Sequence, residues 1–138
     1  MNKANELIPT EFFNMLPISI LIANVGENEL NPPLVFLNQK FIEDFGWTLL
    51  DIPDKQTWSK KAYPNTDYQR VVNSQWDLEK ALSIETNRGF VNMEVNIMTK
   101  HDLLRRFAIY TQIDCLLIPN HYVLAFERIA VTKYDVDL

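Results

Sequence analysis

At Gly89 the hydrophobic period of this chain changes, and that change limits what it can fold into. Before it, Tyr68, Val71, Val72, Gln75, Leu78 and Leu82 recur every three to four residues, with Trp76 flanking them, as on one face of a long helix. After it, Val91, Met93, Val95 and Ile97 alternate with Asn92, Glu94 and Asn96, the period of a half-buried strand. Lys100-His101-Asp102 turns the chain. A second alternating run follows, Arg106, Ala108, Tyr110 and Gln112 against Phe107, Ile109, Thr111 and Ile113, and after Pro119-Asn120-His121 a last strand runs from Tyr122 to Ile129.

The first third supplies what these three strands need. Thr10 is placed to cap a short apolar helix through Phe12, Phe13, Met15 and Leu16, which Pro17 ends. Residues 17–24 are rich in β-branched side chains and read as a strand covered on both faces. A loop carrying Gly26, Asn28, Asn31, Pro32 and Pro33 then leads into the strand Leu34-Val35-Phe36-Leu37. Asn38 caps the next helix, Phe41, Ile42 and Phe45 give it a buried face, and Gly46 stops it. Leu49, Leu50 and Ile52 tuck the following linker against the core. Two strands, a helical block and three strands make an α+β fold: a five-stranded antiparallel sheet with helices on one face and a short N-terminal helix.

The length of 138 residues suits one domain, and 47% hydrophobic residues suffice for one core. A net charge of -5 repels phosphate backbones and anionic lipid, and Lys60-Lys61 and Arg105-Arg106 are isolated pairs, so neither nucleic acid nor membrane is an expected partner. The lone Cys115 and the polar start of the chain, with no secretory signal pattern, lead to the expectation of a cytoplasmic, soluble domain.

Catalytic constellations are sought without success. His101 and His121 fall at turns, where solvated side chains are expected, and no metal set surrounds them. Gly26, Gly46 and Gly89 are too far apart to cradle a phosphate, and Cys115 has no histidine in its own segment to activate it. A non-enzymatic role is expected. A cone-shaped α+β enzyme, the least favoured reading, would need a buried Asp or His opposite a pocket tyrosine.

Four segments in order resemble the PAS domain, in particular the bacterial sensory-box type joined to histidine kinases, diguanylate cyclases and phosphodiesterases. They are residues 34–47, Leu34 to Trp47, with the capping Asn38 and Phe45-Gly46-Trp47; then Trp58 with Tyr63-Pro64-Asn65, Tyr68-Gln69-Arg70 and Trp76. Next come Met98-Thr99-Lys100-His101-Asp102 before Leu104-Arg105-Arg106, and finally Leu124-Ala125-Phe126. The resemblance implies an N-terminal extension over 1–11, a PAS domain over 12–130 and a tail over 131–138. The family's closing Asp-Ile-Thr stands here as Arg128-Ile129-Ala130, a departure at the usual junction with an output helix.

The resemblance implies a sensory, signal-transducing module that holds a small ligand between helices and sheet; the alternative is a ligand-free protein-interaction domain. Pocket candidates are Phe41, Phe45, Trp58 and Trp76 from the helical block, and Met93, Tyr110 and Phe126 from the sheet. Which face Asn92, Glu94, Asn96 and Gln112 take is left open by periodicity. The cofactor is unknown: the reactive Asn-Cys-Arg-Phe of flavin photosensors is missing, and residues 65–84 hold no histidine for haem, so covalent flavin and haem are disfavoured. Homodimerisation is expected through Phe12, Phe13 and Leu16, with capping of the domain's own sheet as the alternative.

Overall fold

A computed structural model describes residues 8–26, 28–112 and 118–129. Among them, strands β1 (Ser19–Asn24), β2 (Leu34–Leu37), β3 (Phe90–Met98), β4 (Leu104–Gln112) and β5 (His121–Arg128) form one antiparallel sheet in the order β2-β1-β5-β4-β3. Helix α1 (Thr10–Met15) precedes the sheet, and α2 (Gln39–Phe45), α3 (Lys55–Ala62) and α4 (Thr66–Glu85) carry the chain from one sheet edge to the other. The expected α+β architecture is therefore the observed one. Strand β5, last in sequence, pairs with β1 from Ser19↔Phe126 to Asn24↔His121 and joins the hairpin β1-β2 to the meander β3-β4-β5.

Both faces of the sheet are covered around β1, which is why that strand is buried along its length rather than alternating. Toward the helical block point Leu21 and Ala23 of β1, Met93, Val95 and Ile97 of β3, Phe107 and Ile109 of β4, and Phe126 of β5. On the other face, Ile20 and Ile22 meet Phe13 of α1 and Leu16 just after it, together with Ile8 and Ile118. Ile8, ahead of residue 12, is part of this packing.

One side chain ties these layers. Asn38 is fully buried, and its carboxamide is saturated. Oδ1 accepts from the backbone N–H of Ile20 at 2.8 Å and of Phe41 at 3.0 Å, and Nδ2 donates to the carbonyls of Phe13 at 2.8 Å and Ile18 at 2.9 Å. The expected helix cap is also a clamp on β1 and α1. Gly46 ends α2 in the left-handed region, φ 79°, where a β-carbon would lie 3.0 Å from Lys100 Cβ.

Several local expectations are corrected. Thr10 lies inside α1 and does not cap it; Pro9 holds the N-cap position without a side-chain bond. Ile42 is exposed because only one side of the two-turn α2 meets the sheet. Of the linker leucines, Leu50 is 95% exposed and Leu49 is exposed, and Ile52 alone reaches the core. The buried face of α4 is rotated from the one expected: Val72 and Ser83 are buried and Tyr68 and Trp76 half-buried, whereas Val71, Leu78 and Leu82 face outward. The helix turns its aromatic side chains, not its most apolar stripe, to the sheet. His121 is buried at the start of β5, its Nδ1 2.7 Å from the Pro119 carbonyl, because the turn folds the ring inward; His101 is exposed as expected. Ile113, Cys115, Ala130 and the tail lie outside the described residues.

Asp51 fixes the linker after α2 to the β3-β4 turn. Its carboxylate accepts from Lys100 Nζ at 2.9 Å and from the Thr48 N–H at 3.0 Å. The Lys100 ammonium and the Thr48 amide hold its pKa at about 2, below the ordinary 3.8.

Replacing Asn38 by Ala should cost about 3 kcal/mol, since it removes a helix cap and strands the buried Ile20 amide and the Ile18 carbonyl; urea unfolding measures it. The folded pKa of Asp51 is depressed, so its contribution is complete above the unfolded value and fades as pH falls through the window between 3.8 and about 2. Asp51→Asn should therefore flatten the acid limb of a stability-versus-pH curve in that window and leave its neutral-to-alkaline shape unchanged.

Candidate ligand-binding cleft

The helical face of the sheet is closed at one end and open at the other. At the closed end, Phe41 and Phe45 lie one turn apart on α2 with ring centroids 4.5 Å apart; Phe45 also packs 4.5 Å from Phe107, and Phe41 5.7 Å from Phe126. Trp58, on the buried side of α3, meets Phe126 at 5.8 Å. Tilted and edge-on pairs of this kind leave no space between them. Phe41 and Phe45 are thus core residues behind the site rather than walls of it.

Beyond Trp58 the helices and sheet separate around a cleft of about 340 Å3. Helix α3 contributes Trp58 and Ser59, and α4 contributes Val72, Asn73 and Trp76. The sheet floor is Leu21 and Ala23, Met93, Ile109, Leu124 and Phe126. Of the seven expected pocket residues, Trp58, Trp76, Met93 and Phe126 are brought together here. Tyr110 is not. It pairs with Ala125, which pairs with Ile20, so it belongs to the outer face, because Phe107 and Ile109 take the inward positions of β4. Asn92 and Glu94 are exposed, on the face of β3 opposite Val91, Met93 and Val95; Gln112 reaches the cleft at the end of β4.

The rim carries Lys55 and Lys80, Glu29 and Asp77, all exposed and balanced in sign. The buried walls hold two hydroxyls among the described residues, Thr111 and Tyr63. Thr111 Oγ1 donates to the Val123 carbonyl at 2.9 Å. Tyr63, 6% exposed, caps the C-terminus of α3 and leads through Pro64 into Asn65, whose side chain accepts from the Tyr68 N–H to start α4. Its hydroxyl makes no hydrogen bond among the described residues, and burial pushes its pKa above the ordinary phenolic value. Sequence reasoning placed Tyr63 in a motif but missed it as a wall; its position between two helix boundaries was the available signal.

A wider, shallow and solvent-open depression lies between Tyr68 and Gln75 of α4 and the outer edge of β3. Its walls are the polar Asn92, Glu94, Asn96 and Arg106, and Arg106 is already paired with Glu94 at 3.4 Å and with Asn96 at 3.0 Å. The deeper, aromatic cleft has the concave apolar character of a small-molecule site.

The α1 residues expected at a dimer interface divide. Phe13 is buried and Leu16 packs beside it on the domain's own sheet, with Phe13 6.2 Å from Phe36, whereas Phe12 is exposed. No group of three or more His, Cys, Asp or Glu side chains placed to hold a metal occurs among the described residues. The buried polar residues among them are Ser19, Asn38, Ser83, Thr99, Thr111 and His121, none a carboxylate. No described helix is long and apolar enough to cross a membrane.

No protein-family model matches the chain, and no curated protein matches it. Solved structures do. The LOV protein of Rhodobacter sphaeroides superposes with a TM-score of 0.62 at 12% identity, over 96% of this chain and 70% of that one. The PAS domain of a LuxR-family transcriptional regulator from Burkholderia thailandensis, solved in complex with ethanol, gives 0.62 at 12% identity, over 90% and 99%. A domain of a sensory box sensor histidine kinase/response regulator from Geobacter sulfurreducens gives 0.54 at 15%, over 91% and 93%. The chain has the fold of the PAS and LOV sensory domains.

Phe45→Ala, in the closed end, should destabilise the domain by roughly 3–5 kcal/mol. Trp76→Ala, on the half-buried wall, should cost clearly less; paired thermal melts decide whether the closed and open ends differ as described.

Proposed function

We propose that this chain is a sensory PAS module that holds a small molecule in the cleft between α3, α4 and the sheet. The observation that carries the reading is the cleft itself: about 340 Å3 of space bounded by Trp58, Trp76, Met93 and Phe126, beside an aromatic core that is packed shut. A chain that needed only a stable core would gain by closing that space, since unfilled apolar volume forfeits dispersion contacts. An occupant restores them. Its role is binding and reporting rather than catalysis, in the cytoplasm, and the fold shared with sensory domains supports that direction.

The reading includes a homodimer. With Phe13 and Leu16 spent on the domain's own sheet, Phe12 and Met15 remain 52% and 73% exposed on the same short helix, and a second copy would cover them. Signal would then pass through the small conformational difference between empty and filled clefts, since a ligand shifts an equilibrium only by its differential affinity for two states.

Native mass spectrometry of the protein taken from its own cells should show a dimer carrying a small-molecule mass excess. Ala23→Leu, which fills the cleft floor, should remove the excess mass while the dimer persists. A bare monomer in the unaltered protein would overturn both parts.

A further inference from the structure

The chemistry of the cleft walls narrows the occupant beyond size. The buried lining is apolar except at two hydroxyls and the Trp58 indole N–H, and Thr111 has spent its proton on the Val123 carbonyl. Tyr63 has not: the residue lines the cleft and is 6% exposed, and no described group accepts from its hydroxyl. That hydroxyl is not among the fully buried unpartnered atoms, so it is open to water, and a ligand that supplies an acceptor can take the water's place. A phenol is a better donor than acceptor, and burial keeps this one protonated. Around it the walls are flat and aromatic, with Trp58 6.5 Å from Tyr63 between ring centroids and Trp76 across the cleft.

Charge sets the other limit. The cations and carboxylates at the rim, Lys55, Lys80, Glu29 and Asp77, are exposed and balance, and no charged side chain is buried in the described walls. An ionised group carried to the depth of Tyr63 would lose its water without meeting a counter-ion.

Resting on the reading that the cleft is a ligand site, we infer that it takes a small uncharged aromatic molecule whose carbonyl or similar acceptor receives the Tyr63 hydroxyl. The ring lies among the aromatic walls. Neutral aryl ketones, aldehydes and amides are of this class; aryl carboxylates and bare hydrocarbons are not.

Two probes of nearly equal shape separate the terms: acetophenone, with a carbonyl oxygen, and α-methylstyrene, with a methylene in its place. Each is titrated into the full chain and into Tyr63→Phe, followed by protein NMR shifts of the Trp58 and Trp76 indoles, with benzoate as a third probe. Tyr63→Phe removes a hydroxyl without a partner, so the melting temperature should be nearly unchanged. Acetophenone should lose roughly five- to tenfold in affinity on this substitution, the worth of one hydrogen bond, while α-methylstyrene is unchanged or slightly tighter. Benzoate should bind the unaltered protein more weakly than acetophenone.

Equal weakening of both probes, no weakening of either, or tighter binding of benzoate than of acetophenone would overturn the assignment of ligand class while leaving the cleft a binding site. If neither neutral probe shifts the indoles of either protein, the cleft reading itself fails and the inference falls with it.

Discussion

The carboxamide of Asn38 is the contact on which the rest of the architecture depends. A single fully buried side chain satisfies the first turn of α2, an amide of β1 and the carbonyls that end α1 and lead into β1. The Phe13 carbonyl also accepts from the Leu16 N–H at 3.3 Å, but the Phe41 and Ile20 amides and the Ile18 carbonyl lie at element ends, where helix or strand does not pair them internally. Because asparagine presents a donor and an acceptor in one plane, no other residue of similar volume meets both demands; aspartate lacks the donor and leucine lacks both. The position of α2 over the sheet, and with it the placement of Phe41 and Phe45, follows from this junction.

From that anchor the interior divides by packing quality. The rings of Phe41, Phe45, Phe107 and Phe126 close one end, and the sheet beneath them is held by α1 on its opposite face. At the other end α4 approaches with Trp76 half-buried, and the helix and floor stay apart. With one end packed and the other open, α4 borders the open space while the aromatic core lies apart from it. The polar link from Asp51 to Lys100 sits on the rigid side, fastening the linker after α2 to the β3-β4 turn.

Much of this was legible in the sequence. The strand boundaries, the inward set Val91, Met93, Val95 and Ile97, the Asn38 cap and the Gly46 stop follow from period and from local backbone chemistry. What was not legible depended on facing. On α4, Val71, Leu78 and Leu82 are more apolar than Tyr68 and Trp76, yet the helix turns its aromatic side to the sheet, because larger rings span the distance that α4 keeps. On β4 every residue from Phe107 to Thr111 is at least half-buried, so alternation could not say which set faces the cleft, and Tyr110 fell on the outer side. His121 looked like a turn residue because the burial of its ring is set by β1 and β5 pairing across a distant loop.

Among the described residues, strand β3 ends the sheet, and its outward backbone groups have no neighbouring strand there. The hydroxyl of Tyr68 accepts from the Asn96 N–H at 2.8 Å, so a side chain of α4 occupies a hydrogen-bonding position that an intruding strand would need. Glu94, Asn96 and Arg106 add charge and polarity along the same border. An open edge is where sheets of separate molecules join and grow into aggregates. Tyr68 is therefore a guard on solubility as well as a packing residue: a form of the protein in which α4 lifts from β3 would expose a template for intermolecular strand addition, and tendency to aggregate would track how firmly that helix is seated.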